Sequence, residues 1–92
     1  MIVSIRHKGL WLYYEEGKTS KLAADQLGKI SRILTASNAV SSEDDIKELG
    51  TGIHKLTGDL KHFWSIKITA NYQIIFRFVA GDVYDIDYID YH

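Results

Sequence analysis

The sequence predicts an α+β fold in which N-terminal helices pack on one face of a small antiparallel β-sheet. Up to about residue 50, apolar side chains recur at spacings of three and four residues, which is the helical period. From Ile53 onward they alternate, as in strands with one buried face. Short turns separate the alternating segments, which favours antiparallel hairpins. A chain of 92 residues has room for one hydrophobic core, so we expect a single domain over residues 1–92.

Two helices and a short helical turn are predicted in the first half of the chain. The first helix runs from Leu10 to Glu16 and ends at Gly17, because glycine is a usual residue at a helix C-terminus. Ser41 and Ser42 each precede an acidic residue by three positions, an arrangement close to a capping box that predicts the short turn. The second helix carries an apolar stripe formed by Ala23, Leu27, Ile30, Ile33 and Leu34.

Three strands are predicted in the second half. Residues 63–70 alternate between apolar and polar, and Asn71 marks a turn before the next strand at Tyr72. A three-residue loop, Ala80–Asp82, would join this strand to the last one. The cross-strand partners expected from that loop are Phe78 with Tyr84, Arg77 with Asp85, Phe76 with Ile86 and Ile74 with Tyr88.

The sheet face away from the helices is expected to be open and polar. The net charge of −1 argues against a protein that binds nucleic acid with its whole surface, but the charge is unevenly distributed. Residues 46–81 hold five basic and two acidic side chains, a net +3, whereas residues 82–92 hold four aspartates and no base. Either a local cationic surface or cross-strand ion pairing accounts for this pattern. The open face would present Ser65, Lys67, Thr69, Gln73, Ile75, Arg77 and Asp85.

Composition excludes several classes of function. Without cysteine the chain has no disulfide, thiol nucleophile or sulfur metal site, and no two histidines have the spacing of metal ligands. No segment approaches the ~18 apolar residues of a membrane span, and no targeting signal is evident, so we expect a cytoplasmic protein. Of the four histidines, His7 and His62 are expected to be structural or surface residues.

Several short motifs gain meaning from their order and spacing. Together they resemble the HigB-type toxins of the RelE/ParE superfamily, the group that includes plasmid maintenance killer proteins, across nearly the whole chain. The motifs are Arg6-His7-Lys8-Gly9-Leu10, the segment 53–61 with its Gly58-Asp59 turn, Phe63-Trp64-Ser65, the segment 71–78, and the final Asp90-Tyr91-His92.

The resemblance implies the toxin of a type II toxin-antitoxin module. Such a toxin is a ribosome-dependent endoribonuclease that cuts messenger RNA without a metal or other cofactor. The ribose 2′-hydroxyl attacks the adjacent phosphate and leaves a 2′,3′-cyclic phosphate. The implied partners are a helix-turn-helix antitoxin of the HigA type, the ribosome and mRNA, with operator DNA bound only through the antitoxin.

The resemblance also assigns residues to the active region. His54, Asp90, Tyr91 and His92 would be catalytic. The imidazole group in general titrates with a pKa near ~6.5 when unperturbed, so histidine is a residue type that suits the two proton transfers of this reaction. The candidates for binding RNA phosphate are Lys55, Lys67, Gln73 and Arg77.

Two positions depart from the family pattern. Family members usually have arginine where this chain has Gln73, and commonly lysine where it has Thr57. Loss of a positioned cation costs a phosphoryl-transfer site about 3–4 kcal/mol, by analogy with a lost oxyanion donor. Two alternatives therefore stay open. One is an attenuated or inactive toxin that acts mainly as an antitoxin-binding co-repressor. The other is a gyrase-directed toxin of the ParE branch, to which the Asp90-Tyr91-His92 ending is foreign.

Overall fold

A computed structural model describes residues 1–50 and 52–90 and confirms the α+β fold. The helices are α1 (Lys8–Glu16), α2 (Leu27–Ala39) and α3 (Glu43–Ile46), with single 3-10 turns at Ala24–Gln26 and Gly58–Leu60. The strands β1 (His54–Lys55), β2 (Phe63–Lys67), β3 (Tyr72–Val79) and β4 (Asp82–Asp90) form one antiparallel sheet in the order β1-β2-β3-β4. Among the described residues, no helix is long and apolar enough to cross a membrane.

Helix α1 is capped at both ends. It ends where the sequence predicts, because Gly17 adopts a left-handed conformation (φ 71°) and its N–H bonds back to the last turn. It begins two residues earlier than predicted, at Lys8, because the His7 side chain caps it. The Leu10 N–H donates to His7 Nδ1 over 3.2 Å, so this ring nitrogen carries no proton.

The capping role of His7 predicts a pH-dependent stability. Burial lowers the pKa of His7 below its ordinary 6.5, Asp87 opposes the shift, and Lys21 adds to it. The unfolded chain therefore binds more protons than the folded one below about pH 6.5, so the free energy of unfolding should fall as the pH drops. Asparagine caps helices without titrating, so His7→Asn should flatten this part of the profile. Urea unfolding of both proteins between about pH 7.5 and 5.5 tests this, and parallel profiles would contradict it.

Helix α2 matches its predicted stripe at Ile30, Ile33 and Leu34, which are all buried. Ala23 is an exception to the prediction, because it is extended (φ −69°, ψ 124°) and precedes the 3-10 turn that leads into α2.

The predicted capping box is present at α3. The Ser42 hydroxyl accepts from the Asp45 N–H, and the Asp45 carboxylate accepts from the N–H groups of Ser41 and Ser42. These bonds, those from Ser41 above all, lower the pKa of Asp45.

The hairpin between β3 and β4 differs from the prediction near its turn. Val79 pairs with Asp82, so the loop has two residues, Ala80 and Gly81, with φ of 51° and 87°. Two consecutive positive φ values are typical of the type I′ turn, whose twist matches that of the flanking strands. Arg77 and Phe78 consequently pair with Tyr84 and Val83, not with the predicted partners.

A β-bulge restores the predicted register farther along this hairpin. Ile75 pairs with Asp87 and Arg77 with Tyr84, so β4 has one extra residue in this stretch. Asp85, which lies in the bulge, has a φ of 54°. Beyond it, Ile74 pairs with Tyr88 as predicted. The Arg77 Nε still reaches the Asp85 carboxylate at 2.9 Å, so the expected ion pair forms although the two residues are not direct partners.

The two faces of the sheet differ in their packing, but not as the sequence predicts. The helix-side core contains Leu10, Ile30, Leu34, Trp64, Ile66, Ile74, Phe76, Val83 and Ile86. On the other face, Ser65, Gln73 and Ile75 are only 1%, 8% and 2% exposed, so the expectation of an open surface is wrong for them. These residues lie on the central strands β2 and β3, which are flanked on both sides by other strands. Lys67 and Thr69 are exposed as predicted.

The first residues of the chain extend the sheet beyond β4. Ile2 and Ile5 form parallel bridges with Val83 and Ile86, and the Val3 N–H donates to the Val83 carbonyl over 2.8 Å. This segment brings His7 and α1 to the β4 side of the sheet.

Candidate active site

A groove of about 300 Å³ lies beside the turn between β2 and β3. Three of the side chains predicted to act on RNA line it, namely His54, Lys67 and Gln73. The remaining lining residues are Gly52, Ser65, Thr69, Ala70 and Tyr72. The fold therefore collects one imidazole, one ammonium and one amide around a single open space.

His54 enters this groove from the edge strand β1. It pairs with Ser65 on β2, and its side chain is exposed. The His54 Nδ1 lies 3.1 Å from the Gly52 carbonyl oxygen. Because a carbonyl oxygen can only accept, Nδ1 carries the proton, and Nε2 of the neutral ring is then the proton acceptor.

The backbone of Gly52 lies close to the Lys67 side chain. Gly52 has a φ of 63°, and a Cβ atom there would stand 3.1 Å from the Lys67 Cβ. Glycine thus allows the loop before β1 to approach Lys67 closely.

Gln73 is held by a buried serine. The Ser65 hydroxyl donates a hydrogen bond to the Gln73 Oε1. Gln73 therefore places a neutral amide at the position where the family resemblance expects arginine. Ser65 is a site residue that the sequence analysis missed, because alternation alone suggested a solvent-facing serine. The Trp64-Ser65 motif was the signal that could have identified it.

The Ser65–Gln73 bond predicts a measurable coupling. Ser65→Ala removes a donor from a buried acceptor, which costs about 1–3 kcal/mol of unfolding free energy. Gln73→Leu in the same background removes the acceptor as well, so the double variant should lose less than the sum of the single losses. Urea unfolding of the four proteins in this cycle measures the difference. Strict additivity would show that the two side chains do not stabilise each other.

Asp90 interacts with Tyr72, which is one of a pair of stacked tyrosines. It is the cross-strand partner of Tyr72, and its charge is the main cause that raises the pKa of the Tyr72 hydroxyl, with desolvation and their hydrogen bond adding to it. The Tyr72 ring stacks on Tyr88 at 5.1 Å with an interplanar angle of 14°. Because Tyr72 also lines the groove, it connects Asp90 to the space occupied by His54.

Tyr88 fixes this pair to the helices. Its hydroxyl donates to the Gln26 side chain, and the His7 ring contacts it edge-on at 5.5 Å. Desolvation is the main cause that raises the pKa of Tyr88 to about 12, so the hydroxyl keeps its proton and remains a donor at neutral pH. The other two predicted catalytic residues, Tyr91 and His92, lie outside the described part of the chain.

Two predicted phosphate ligands lie away from this groove. Lys55 follows His54 in β1, so its side chain leaves the opposite face of the strand, and its Nζ stands 5.1 Å above the Trp64 ring. Arg77 binds Asp85 and lies over Tyr84, with 5.5 Å between the guanidinium carbon and the ring centroid. Of the predicted cations, Lys67 alone lines the groove with His54 in the described residues. No cluster of three His, Asp or Glu side chains able to hold a metal occurs within residues 1–50 and 52–90.

Comparison with known proteins first defines the class. The fold matches that of a YoeB/ParE toxin from Agrobacterium tumefaciens with a TM-score of 0.57 and 18% identity, covering 99% of this chain and 97% of that one. The model of the HigB-like toxin family, RelE-like toxins of type II toxin-antitoxin systems, matches residues 3–92. The protein therefore belongs to the HigB-like toxin family.

Two relatives match over the full length of the chain. Endoribonuclease HigB of Proteus vulgaris is 38% identical over 92 residues, with 100% of both chains covered. Toxin HigB-1 of Vibrio cholerae is 29% identical over 94 residues, covering 100% of this chain and 98% of that protein. A type II system pairs its toxin with an antitoxin, so an antitoxin is a partner of this chain.

Proposed function

We propose that this chain is an endoribonuclease that cleaves messenger RNA on the ribosome. The observation that carries the proposal is the groove in which His54, Lys67 and Gln73 meet. It occurs in a chain 38% identical to a protein named endoribonuclease. An imidazole beside an ammonium and amide donors is the set of groups that RNA cleavage by proton transfer needs.

The chemistry follows from the atoms in the groove. The ribose 2′-hydroxyl gives its proton to His54 Nε2 as its oxygen forms a bond to the adjacent phosphorus. Lys67 and the Gln73 amide stabilise the negative charge of the phosphorane. The bond from phosphorus to the 5′-oxygen then breaks, leaving a 2′,3′-cyclic phosphate. We assign the proton for the departing 5′-oxygen to His92, oriented by Asp90, and we assign substrate contact to Tyr91. This route uses no metal or other cofactor.

The proposal includes the cellular setting. The toxin acts in the cytoplasm, where its substrate is mRNA engaged on the ribosome. Its antitoxin is a helix-turn-helix protein of the HigA type, and operator DNA is bound by the complex through that antitoxin. Membership of a type II toxin family supports the existence of an antitoxin partner. The HigA class of that antitoxin and the binding of operator DNA are part of the proposal.

A second candidate function is favoured by the neutral groove residue Gln73. Its amide can donate hydrogen bonds but brings no positive charge to the phosphate. Thr57, the other position without the usual cation, is exposed just before the Gly58–Leu60 turn and does not line the groove. The loss of both cations is what we expect of an attenuated toxin that acts mainly as an antitoxin-binding co-repressor.

Induction of the unmodified chain in growing cells that lack antitoxin separates the candidates. New mRNA 5′ ends should appear within translated codons, and inhibition of translation initiation should abolish them. Growth without new 5′ ends would favour the co-repressor. Growth arrest with DNA damage and intact mRNA would point to gyrase and overturn the proposal.

A further inference from the structure

A second groove, of about 350 Å³, lies at the end of β2 and β3 away from the β2–β3 turn and beside α3. Its basic lining residues are Lys55, Lys61, His62 and Arg77, and its acidic lining residue is Glu43. Lys55, Lys61 and His62 are exposed to solvent. This cationic groove is separate from the groove that contains His54.

The charge of the cationic groove is available to an outside ligand. The Lys55 Nζ lies 3.4 Å from the Glu43 carboxylate, but the two side chains are 56% and 57% exposed. Water competes effectively for an ion pair this exposed, so an anionic ligand can replace Glu43 at Lys55. Arg77 already binds Asp85, so Lys55 and Lys61 are the cations that remain for an incoming phosphate.

The wall of the cationic groove is partly aromatic. Trp64, a buried core residue, lies beneath the Lys55 ammonium, and the half-buried Phe78 also lines the groove. Exposed cations arranged around aromatic and apolar surface are typical of sites that follow a single nucleic-acid strand, where the cations bind phosphates.

Strand β1 connects the two grooves. It has only two residues, His54 and Lys55, and it forms one edge of the sheet, where no further strand from residues 1–50 and 52–90 covers it. His54 lines one groove and Lys55 the other. A strand of RNA positioned at His54 can therefore pass over β1 and reach Lys55 without crossing the protein.

We propose that the cationic groove binds the phosphate backbone of the substrate RNA outside the cleaved linkage, through Lys55 and Lys61. This rests on the proposed function, because it takes the strand in the groove to be the one placed at His54. The groove gives the toxin affinity that depends on RNA length and not on base identity.

Binding of a single-stranded RNA dodecanucleotide tests the proposal, and His54→Ala in every protein prevents cleavage during the measurement. Lys55→Gln combined with Lys61→Gln should weaken binding and reduce the slope of log K against log salt by about 1.4, since each single-strand phosphate contact contributes about 0.7. The matched control is Lys8→Gln with Lys18→Gln, which makes the same change of charge at lysines that line neither groove. A trinucleotide, too short to occupy both grooves, should bind the groove variant and the control equally.

Several outcomes would overturn the proposal. Equal affinity and salt slope in groove variant and control would do so, as would no binding of the dodecanucleotide. Displacement of the RNA by polyglutamate at equal charge concentration would mean that the groove fits an acidic polypeptide. Failure of the proposed function gives a different result. If RNA binding depends on Lys55 and Lys61 but the unmodified chain cleaves no mRNA, the RNA-binding role of the cationic groove stands and the proposed endoribonuclease activity is wrong.

Discussion

His54→Ala is expected to lower the rate of mRNA cleavage by about 10²- to 10⁴-fold, the usual contribution of a positioned general base. The imidazole lines the groove, and its Nδ1 bond to Gly52 leaves Nε2 to accept the 2′-hydroxyl proton. The measurement is single-turnover cleavage of a defined mRNA on purified ribosomes. Saturating toxin concentrations keep a change in binding from being mistaken for a change in chemistry.

The stability of the variant supplies the control for this experiment. The side chain of His54 is exposed, and its Nδ1 hydrogen bond is to the nearby Gly52 carbonyl, so His54→Ala should unfold at nearly the same temperature as the unmodified chain. A large loss of cleavage with unchanged stability supports a catalytic role. Cleavage within a factor of three of the unmodified rate, about 0.6 kcal/mol, would remove His54 from the mechanism.

Gln73→Arg is expected to raise the rate of cleavage by about 10²- to 10³-fold, the effect of one oxyanion donor at a reacting centre. Gln73 lies beside an open groove, so the longer arginine can extend toward the phosphate while Ser65 remains next to its base. The guanidinium brings a fixed positive charge and paired donors, which an amide lacks. The same single-turnover assay measures the change.

Gln73→Met is the matched control, because methionine has a similar length but neither donors nor charge. If the amide already assists the reaction, the methionine variant should be slower than the unmodified chain. An arginine variant that folds normally and cleaves no faster would show that the site does not lack a cation. That result would also remove the reason for considering this chain an attenuated toxin.

Local features of the structure were predictable from the sequence because they depend on neighbours along the chain. The end of α1 at Gly17 and the Ser42–Asp45 capping box involve residues within one helical turn. The turn after β2 is another example, since the Ile68 N–H bonds to the Tyr72 carbonyl across the predicted turn at Asn71.

The β4 register and the site required contacts that sequence periodicity does not contain. The two-residue turn at Ala80–Gly81 shifts the register of β4 against β3 by one residue, and the bulge near Asp85 shifts it back. The alternation of apolar and polar residues cannot show two register shifts that compensate each other. The sequence also did not predict that His54 and Lys55 line different grooves, because apolar and polar residues do not alternate clearly in residues 53–56. Tyr91 and His92 keep the roles inferred from family resemblance, as proposals.

The sequence by itself determined the α+β class, the end of α1 at Gly17, the Ser42–Asp45 capping box and the resemblance that the family match confirms. Only the tertiary structure decided which polar side chains are buried and which cations share a groove with His54. Ser65 and Lys67 occupy equivalent positions in the alternation of β2, yet Ser65 is buried against Gln73 while Lys67 is exposed. The physical reason is that burial and charge pairing depend on residues brought together across strands, whereas a sequence pattern reports only the direction in which each side chain leaves its own strand.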